Sequence, residues 1–141
     1  MEKLESRTVC VDTDIVIDYL RGKNKNQDIL PALIKRHEIY ISPVAIYELY
    51  YGGHYSGKLG PVDDVLAMMV PLDWTVEDSK KAAQIHVSLS KAGETLSVKD
   101  VLIAGQCLSR SIPLITRNIS HFKRVKGLKV VDGTAYLKDT K

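Results

Sequence analysis

Cysteine is scarce in this 141-residue chain, and so are other features that would assign it to a specialised class of protein. Cys10 and Cys107 lie in separate apolar runs and form no CxxC pair, so they indicate small buried hydrophobic residues in a reducing compartment. No apolar run approaches the roughly 18 residues that a membrane helix needs. The first residues, MEKLESR, are too charged for a secretory signal. We therefore expect a cytoplasmic protein with no membrane segment.

A strong charge of either sign is also absent. The chain has 20 basic and 17 acidic residues, a net charge of +3, and 45% of its residues are hydrophobic. These values are ordinary for a globular protein and permit a nucleic-acid partner without requiring one. Because no linker or repeat interrupts the sequence, we predict one domain over residues 1–141, large enough to bury a sizeable core.

The sequence contains neither a complete phosphate-binding loop nor a histidine metal-binding motif. Residues 52–58 spell GxxxxGK, but Leu59 stands where a phosphate-binding loop has Ser or Thr, and the motif follows a helix pattern. The four histidines show no metal-ligand spacing. We predict instead that Gly52 and Gly53 end a helix.

Short apolar strand patterns alternate with helix patterns. This alternation is typical of an α/β layered domain with a mainly parallel sheet. Two helix starts are clear: Ser42 before Pro43, and Ser97 before an apolar run. We interpret Val70 to Asp73 as a short extended connection. The predicted strands are Arg7 to Asp12, Glu38 to Ile41, Ile112 to Ile115 and Leu128 to Val131.

Four polar residues stand beside apolar runs where a binding site is expected. In open α/β sheets, sites form outside the carboxyl ends of the strands. Asp12 ends the first strand, Glu48 lies on the helix that begins after Ser42, and Asp100 lies in the first turn of the Ser97 helix. Asn118 follows the strand that contains Ile115. All four side chains are able to converge at one edge of the sheet.

Such a convergence indicates a cation. Three carboxylates in one pocket repel each other unless a positive ion joins them, and Mg²⁺ and Mn²⁺ favour oxygen ligands. A bound ion can activate water and stabilise a leaving group, so the pattern suits hydrolysis of a phosphodiester.

Each of these residues also has an ordinary structural explanation. Asp100 fits a capping box at a helix start, Asn118 fits a local turn, and Glu48 fits a solvated position. The helix dipole or solvent accounts for Asp14 and Asp18. Asp12 is the hardest to explain in this way, because its strand is apolar and buried carboxylates need partners.

A basic segment follows the fourth candidate residue. Between Arg117 and Lys129 there are six Arg, Lys and His residues and no acid. Basic segments are usually solvated surface, but beside an acidic metal pocket they suit a nuclease that holds a phosphate backbone. The predicted substrate-binding residues are Thr116, Arg117, Lys123 and Arg124. A tyrosine cluster around Glu48 is compatible with a core or a dimer surface, and less so with RNA stacking.

Four segments in this order resemble PIN-domain ribonucleases, and more closely the toxin subunits of VapBC-type toxin–antitoxin pairs. They are VDTDIVIDYLRG at 11–22, ISPVAIYELYYG at 41–52, LSVKDVLIAGQCLSRSIPLITRNISHF at 96–122 and GLKVV at 127–131. Each segment is weakly specific alone, and the ordered set is specific.

The resemblance implies an α/β/α sandwich around a mainly parallel sheet of four or five strands. It implies Mg²⁺- or Mn²⁺-dependent cleavage of RNA, with Asp12 and Asp100 as the principal metal ligands and Glu48 orienting or deprotonating the attacking water, either directly or as a ligand of a second ion. Asn118 stands where many relatives carry a fourth acid, whose charge Asp14 is placed to restore. The resemblance also implies a homodimer and a small antitoxin partner. Two alternatives stay open: a catalytically weak RNA-binding module, and a PIN nuclease of RNA maturation or structured DNA.

Overall fold

A five-stranded parallel sheet organises the chain. The computed structural model of the protein describes residues 6–139, and within them the strands lie in the order β3-β2-β1-β4-β5. All four strand pairings are parallel. The strands are β1 (Thr8–Val11), β2 (Glu38–Ile41), β3 (Val70–Pro71), β4 (Leu114–Thr116) and β5 (Val130–Asp132). This sheet and its surrounding helices confirm the predicted α/β/α class, while the single-domain boundary of 1–141 stays a prediction.

Seven α-helices connect these strands in the described part of the chain. They are α1 (Thr13–Arg21), α2 (Ile29–Ile34), α3 (Pro43–Ser56), α4 (Leu59–Leu66), α5 (Val76–Lys91), α6 (Val98–Arg110) and α7 (Ile119–Phe122). Two 3₁₀ helices, Lys25–Asp28 and Gly133–Asp139, complete the secondary structure. Within residues 6–139, no helix has both the length and the apolar character needed to cross a membrane.

The core lies around β1 and β4. Val9, Cys10 and Val11 of β1 are fully buried, as are Leu114 and Ile115 of β4. Such continuous apolar runs are expected of central parallel strands that are covered on both faces. Because β1 pairs with β2 on one side and with β4 on the other, the strand order reverses here, and a crevice is expected at the carboxyl ends of these two strands.

Two local predictions were wrong. The helix of Glu48 does not end at the glycine pair, because α3 continues to Ser56 and ends at Gly57, whose φ is 74°. Gly53 is buried in the α3–α4 contact, where a Cβ would lie 3.1 Å from Val62. The segment predicted as an extended connection contains β3, which pairs with β2 at the edge of the sheet.

The contact between α5 and α6 fixes the position of the second helix. Gly105 of α6 packs so closely on α5 that a Cβ would lie 2.6 Å from Ala82 Cα. The buried carboxylate of Asp78 accepts hydrogen bonds from Gln106 (3.2 Å) and Arg110 (3.1 Å) of α6. These contacts hold α6, and with it Asp100, against the rest of the fold.

Candidate active site

Asp12 directly follows β1, at the carboxyl end of the sheet where a crevice between β1 and β4 is expected. Only 5% of its surface is exposed. It caps α1, since its Oδ1 accepts a hydrogen bond from the Thr13 backbone N–H at 2.8 Å. Its Oδ2 accepts from the hydroxyl of Thr116, the last residue of β4, at 2.8 Å. The predicted position of Asp12 at the end of the first strand is therefore observed, and neutral donors hold both of its oxygens.

Glu48 reaches this site from α3. Its Oε1 accepts a hydrogen bond from the Thr13 hydroxyl at 2.6 Å, and its Oε2 lies 2.8 Å from the Lys99 ammonium nitrogen. Thr13 thus contacts two acids at once, Asp12 through its backbone and Glu48 through its side chain. With 22% of its side chain exposed, Glu48 is partly buried, unlike the solvated position considered for it.

Asp100 reaches the site from the first turn of α6. Ser97 caps this helix as predicted, because its hydroxyl accepts from the Asp100 backbone N–H at 3.2 Å. The Asp100 carboxylate lies 3.7 Å from His121 Nδ1. Its negative charge also acts on Asp12 and on Lys99. The Asp100 side chain is therefore part of the acidic site, whereas its backbone N–H makes the capping contact with Ser97.

The surroundings of Asp12 disfavour the ionised form of its carboxylate. Burial, and then the charge of Asp14, raise the pKa of Asp12 from 3.8 to about 6, with a smaller contribution from Asp100. Hydrogen bonds from Thr116 and Thr13 oppose this rise. The site therefore attracts a cation, which would stabilise the ionised acids.

Asp14, which was assigned to the helix dipole or solvent, contacts three residues of the site. Its Oδ2 accepts from the Arg117 backbone N–H at 3.0 Å, from the Thr116 hydroxyl at 3.3 Å and from the Asn118 side-chain amide at 3.3 Å. Its Oδ1 is buried without a hydrogen-bond partner among the described residues. Burial raises the pKa of Asp14, despite the hydrogen bond from Arg117. Solvent therefore does not account for this carboxylate.

Asp18 was also assigned to the helix dipole or solvent, and that explanation is wrong. Asp18 is 9% exposed and forms an ion pair with the Arg117 guanidinium, whose Nη2 lies 3.1 Å from Asp18 Oδ1. The pair joins α1 to the segment after β4. It thereby orients Thr116 and Asn118, the residues on either side of Arg117.

The predicted substrate-binding residues have different environments. Thr116 is fully buried and holds Asp12, and Arg117 is paired with Asp18. Arg124 donates to the Thr95 carbonyl at 2.6 Å and lies 3.6 Å from Glu94. Lys123 is exposed. Contact of these four residues with a substrate stays a prediction.

The acids offer oxygen ligands of the kind that Mg²⁺ and Mn²⁺ prefer, and this donor set fits such an ion. Within residues 6–139, however, no three His, Cys, Asp or Glu side chains already stand close enough together to hold a metal. The Lys99 ammonium lies among the acids as a resident positive charge. Metal ligation by Asp12, Glu48 and Asp100 stays a prediction that is supported by the chemistry of the donors.

Sequence reasoning missed Lys99 and Thr13. A signal for Lys99 was present, since a cation in the first turn of a helix opposes the helix dipole and needs another explanation. Thr13 follows Asp12 directly and gave no comparable signal. Both contacts join Glu48 of α3 to residues distant in sequence.

Two surfaces border the site. An apolar groove of about 810 Å³ opens between α3, α5 and α6 beside Glu48 and Lys99, and Val44, Trp74 and Leu102 contribute to its walls. On α3, three tyrosines form an exposed row with successive ring centroids 6.4 Å apart. They are Tyr47, Tyr51 and Tyr55, with 68%, 63% and 86% of their surface exposed. Of the predicted cluster Tyr47, Tyr50 and Tyr51, the core alternative is therefore wrong for Tyr47 and Tyr51, whereas Tyr50 is partly buried against the core.

Comparisons with known proteins agree with this geometry. Residues 9–128 match the PIN domain family. The chain is 31% identical to a ribonuclease VapC of Rickettsia bellii over 136 residues, which cover 92% of this chain and 97% of the relative. It is 27% identical over 115 residues to a tRNA(fMet)-specific endonuclease VapC of Salmonella typhimurium, covering 78% and 87% of the two chains.

The fold is also found in solved structures. The crystal structure of VapBC2 from Rickettsia felis, bound to a DNA fragment from its promoter, superposes with a TM-score of 0.79. The superposition covers 89% of this chain and 98% of the other at 22% identity, so it shows a shared fold. Together with the family match and the Rickettsia bellii relative, it places the chain in the PIN-domain family, among the VapC ribonucleases.

Proposed function

We propose that this protein is a metal-dependent endoribonuclease that hydrolyses RNA phosphodiester bonds and acts in the cytoplasm as the toxin of a toxin–antitoxin pair. One observation carries the proposal: Asp12, Glu48 and Asp100, from three separate elements, all act electrostatically on one ammonium group, that of Lys99, in a chain of the VapC family. Acids that are brought together at a strand switch point serve chemistry better than stability, because they repel one another.

The three acids have different roles. Asp12 and Asp100 would hold the metal ion, since Asp12 is fixed by two donors and Asp100 projects from the first turn of α6. Bound Mg²⁺ or Mn²⁺ would supply Lewis-acid stabilisation of the phosphoryl oxygens. Glu48, held between Thr13 and Lys99, orients or deprotonates the attacking water.

RNA is the substrate that the surroundings of the site favour. The basic segment begins beside the site, because His121 lies 3.7 Å from Asp100 and Lys123 follows two positions later, where it would contact phosphate oxygens. Lys123 is exposed, whereas the exposed Lys129 lies at the other edge of the sheet, since its carbonyl accepts from the backbone N–H of Leu114 at the start of β4. These contacts position a backbone and do not read a sequence, so the cleavage sequence depends on other features.

A small antitoxin is the partner that we propose for the apolar groove. The groove opens directly beside Glu48 and Lys99, so an apolar segment bound in it would place an adjoining basic residue near the acids. The Rickettsia felis neighbour was solved as a VapBC complex. The exposed row Tyr47, Tyr51 and Tyr55 is a suitable surface for a homodimer, because aromatic residues are enriched at interfaces.

A direct test uses purified protein and defined RNAs. Incubation with initiator transfer RNA and ribosomal RNA should give cleavage with Mg²⁺ or Mn²⁺, and no cleavage with a chelator. Asp12→Asn and Asp100→Asn should abolish cleavage while the circular dichroism spectrum is unchanged. Cleavage that persists in both variants would contradict the assignment of the site.

A second candidate is a catalytically weak RNA-binding module. The ion pair between Glu48 and Lys99 favours it, because it engages one of the three acids. RNA binding without cleavage and without calorimetric binding of Mn²⁺ would support this candidate and contradict the first.

A further inference from the structure

Lys99 is the one cation that the structure places in direct contact with a proposed catalytic acid, within residues 6–139. Its Nζ lies 2.8 Å from Glu48 Oε2. The negative charges of Asp100 and Asp12 also act on it. With 44% of its side chain exposed, Lys99 lines the apolar groove beside Glu48 and is not enclosed in the core. A single ammonium group therefore pairs with Glu48 and lies within the electrostatic reach of Asp12 and Asp100.

The hydrogen bonds divide the site into two halves. On the Glu48 half, Oε1 accepts from Thr13 at 2.6 Å and Oε2 pairs with Lys99 at 2.8 Å, so both oxygens are engaged. On the Asp100 half, His121 Nδ1 lies 3.7 Å from the carboxylate, which is longer than a hydrogen bond. Asp12 accepts one hydrogen bond at each oxygen, and a carboxylate has about four lone-pair positions. The capacity to bind a metal is therefore greatest at Asp12 and Asp100.

The charges lead to the same division. Asp12, Glu48 and Asp100 carry three negative charges when ionised. Lys99 balances the charge of Glu48, and a single divalent ion balances those of Asp12 and Asp100, while Asp14 is engaged by the Arg117 backbone N–H, the Thr116 hydroxyl and the Asn118 amide. A second divalent ion on the Glu48 half would meet an ammonium group that already occupies that half, and the like charges would repel each other.

We propose that Lys99 is a resident cation of the active site, which takes the Glu48 half in place of a second divalent ion, so that the protein binds one Mg²⁺ or Mn²⁺ at Asp12 and Asp100. This inference rests on the proposed nuclease function, which it makes more specific. Lys99 is a positioning residue in this scheme. It neutralises Glu48 and, together with the Thr13 hydroxyl, fixes the orientation of its carboxylate.

The test counts bound Mn²⁺ on the full chain by isothermal titration calorimetry, with electron paramagnetic resonance to count free Mn²⁺ independently. The wild type should bind one ion at the site. Lys99→Met should bind a second ion, or bind the first roughly tenfold or more tightly, because the competing positive charge is gone. Lys99→Arg, which keeps the charge, should behave like the wild type.

A matched control is Lys80→Met. Lys80 also pairs with a glutamate, Glu77 at 3.5 Å, but on the exposed surface of α5 with 70% of its side chain accessible. This variant should leave the binding of Mn²⁺ unchanged. Thermal unfolding in chelator gives an additional readout: Lys99→Met should lower the melting temperature, and added Mn²⁺ should restore it, whereas Lys80→Met should show neither effect.

Three results would overturn the inference: two ions in the wild type, no ion in the wild type, or identical Mn²⁺ binding in the wild type and Lys99→Met. RNA cleavage by the wild type, measured separately, tests the proposed function. Cleavage with two bound ions would contradict the role of Lys99 and leave the nuclease function intact. Absence of cleavage with one bound ion would contradict the nuclease function and leave the role of Lys99 intact.

Discussion

Asn118 donates its side-chain amide to the carboxylate of Asp14, with Nδ2 and Oδ2 3.3 Å apart. Asn118 is the residue at which the family resemblance suggested a missing fourth acid. Asp14, the partner of Asn118 in this hydrogen bond, supplies a carboxylate instead, and its charge raises the pKa of Asp12. The two positions form a carboxylate–amide pair at the rim of the site.

We predict that this pair is exchangeable. Asn118→Asp alone should destabilise the protein, because it places two carboxylates in contact. Asp14→Asn alone should weaken Mn²⁺ binding by roughly 10- to 100-fold, as loss of an outer-shell partner does. The double variant Asp14→Asn/Asn118→Asp restores one acid and one amide, so it should recover both properties.

Urea unfolding and Mn²⁺ calorimetry on the four proteins form a double-mutant cycle. Residues in contact usually show a coupling free energy of about 0.5–3 kcal/mol. Additive effects of the two substitutions would contradict the prediction.

The raised pKa of Asp12 predicts a dependence of stability on pH. Burial and Asp14 raise this pKa from 3.8 to about 6 in the folded protein. Between these values the folded state binds more protons than the unfolded state, so the stability of the metal-free protein falls as pH increases. The full loss, about 3 kcal/mol, is reached above pH 6.

Asp12→Asn removes this cost. In chelator, we expect the variant to be more stable than the wild type at pH 8 and nearly equal to it at pH 4, as measured by urea unfolding at both values. A constant difference across this range would show that Asp12 does not titrate as predicted.

Lys123 should contribute to RNA binding through charge alone. It is exposed two positions after His121, whose ring lies 3.7 Å from Asp100, whereas the Arg124 guanidinium is engaged by the Thr95 carbonyl. Lys123→Ala should reduce the slope of log affinity against log salt concentration by about 0.7 for single-stranded RNA. Fluorescence anisotropy in the catalytically inactive Asp12→Asn background measures it. Lys80→Ala, on α5, serves as the control and should leave the slope unchanged.

Asp78 should be essential for stability. Burial alone would raise its pKa, but hydrogen bonds from Arg110, Thr75 and other donors lower the pKa to about 2. The contribution of ionised Asp78 to stability is therefore complete above pH 3.8, the ordinary pKa of an aspartate, and is lost as the pH falls towards 2. Asp78→Ala should cost about 3 kcal/mol in unfolding free energy at pH 7, since it breaks a buried pair.

Glu77→Ala provides the comparison on the same helix. Glu77 is 74% exposed and pairs only with Lys80 among the described residues. Exposed pairs contribute little, so its loss should have a small fraction of the effect of Asp78→Ala. Equal losses would contradict the role given to the buried network.

Local chemistry made part of this structure predictable. Ser42 before Pro43 and Ser97 before an apolar run encode helix starts in their own side chains, and both begin helices as expected. An apolar strand that ends in Asp12 likewise gives its position directly. The sequence order of these elements was sufficient to indicate the family.

Contacts between distant elements were not predictable in this way. The glycine pair at 52–53 does not end α3, because packing against α4 outweighs the low helix propensity of glycine. Lys99 meets Glu48 only because α6 packs beside α3. The solvent explanation for Asp18 failed for the same reason, since its partner Arg117 lies 99 positions away in the sequence.

The edge strand β3 limits how the protein can aggregate. Its Leu72 neighbour donates its backbone N–H inward to Ile41 of β2 at 2.9 Å. Since successive residues of a strand point in opposite directions, the nitrogen of Pro71 faces outward, and it has no hydrogen to donate. A foreign strand that approached this edge would find a missing donor in a ladder only two residues long. Growth of the sheet from one molecule to the next is thus discouraged at the β3 edge.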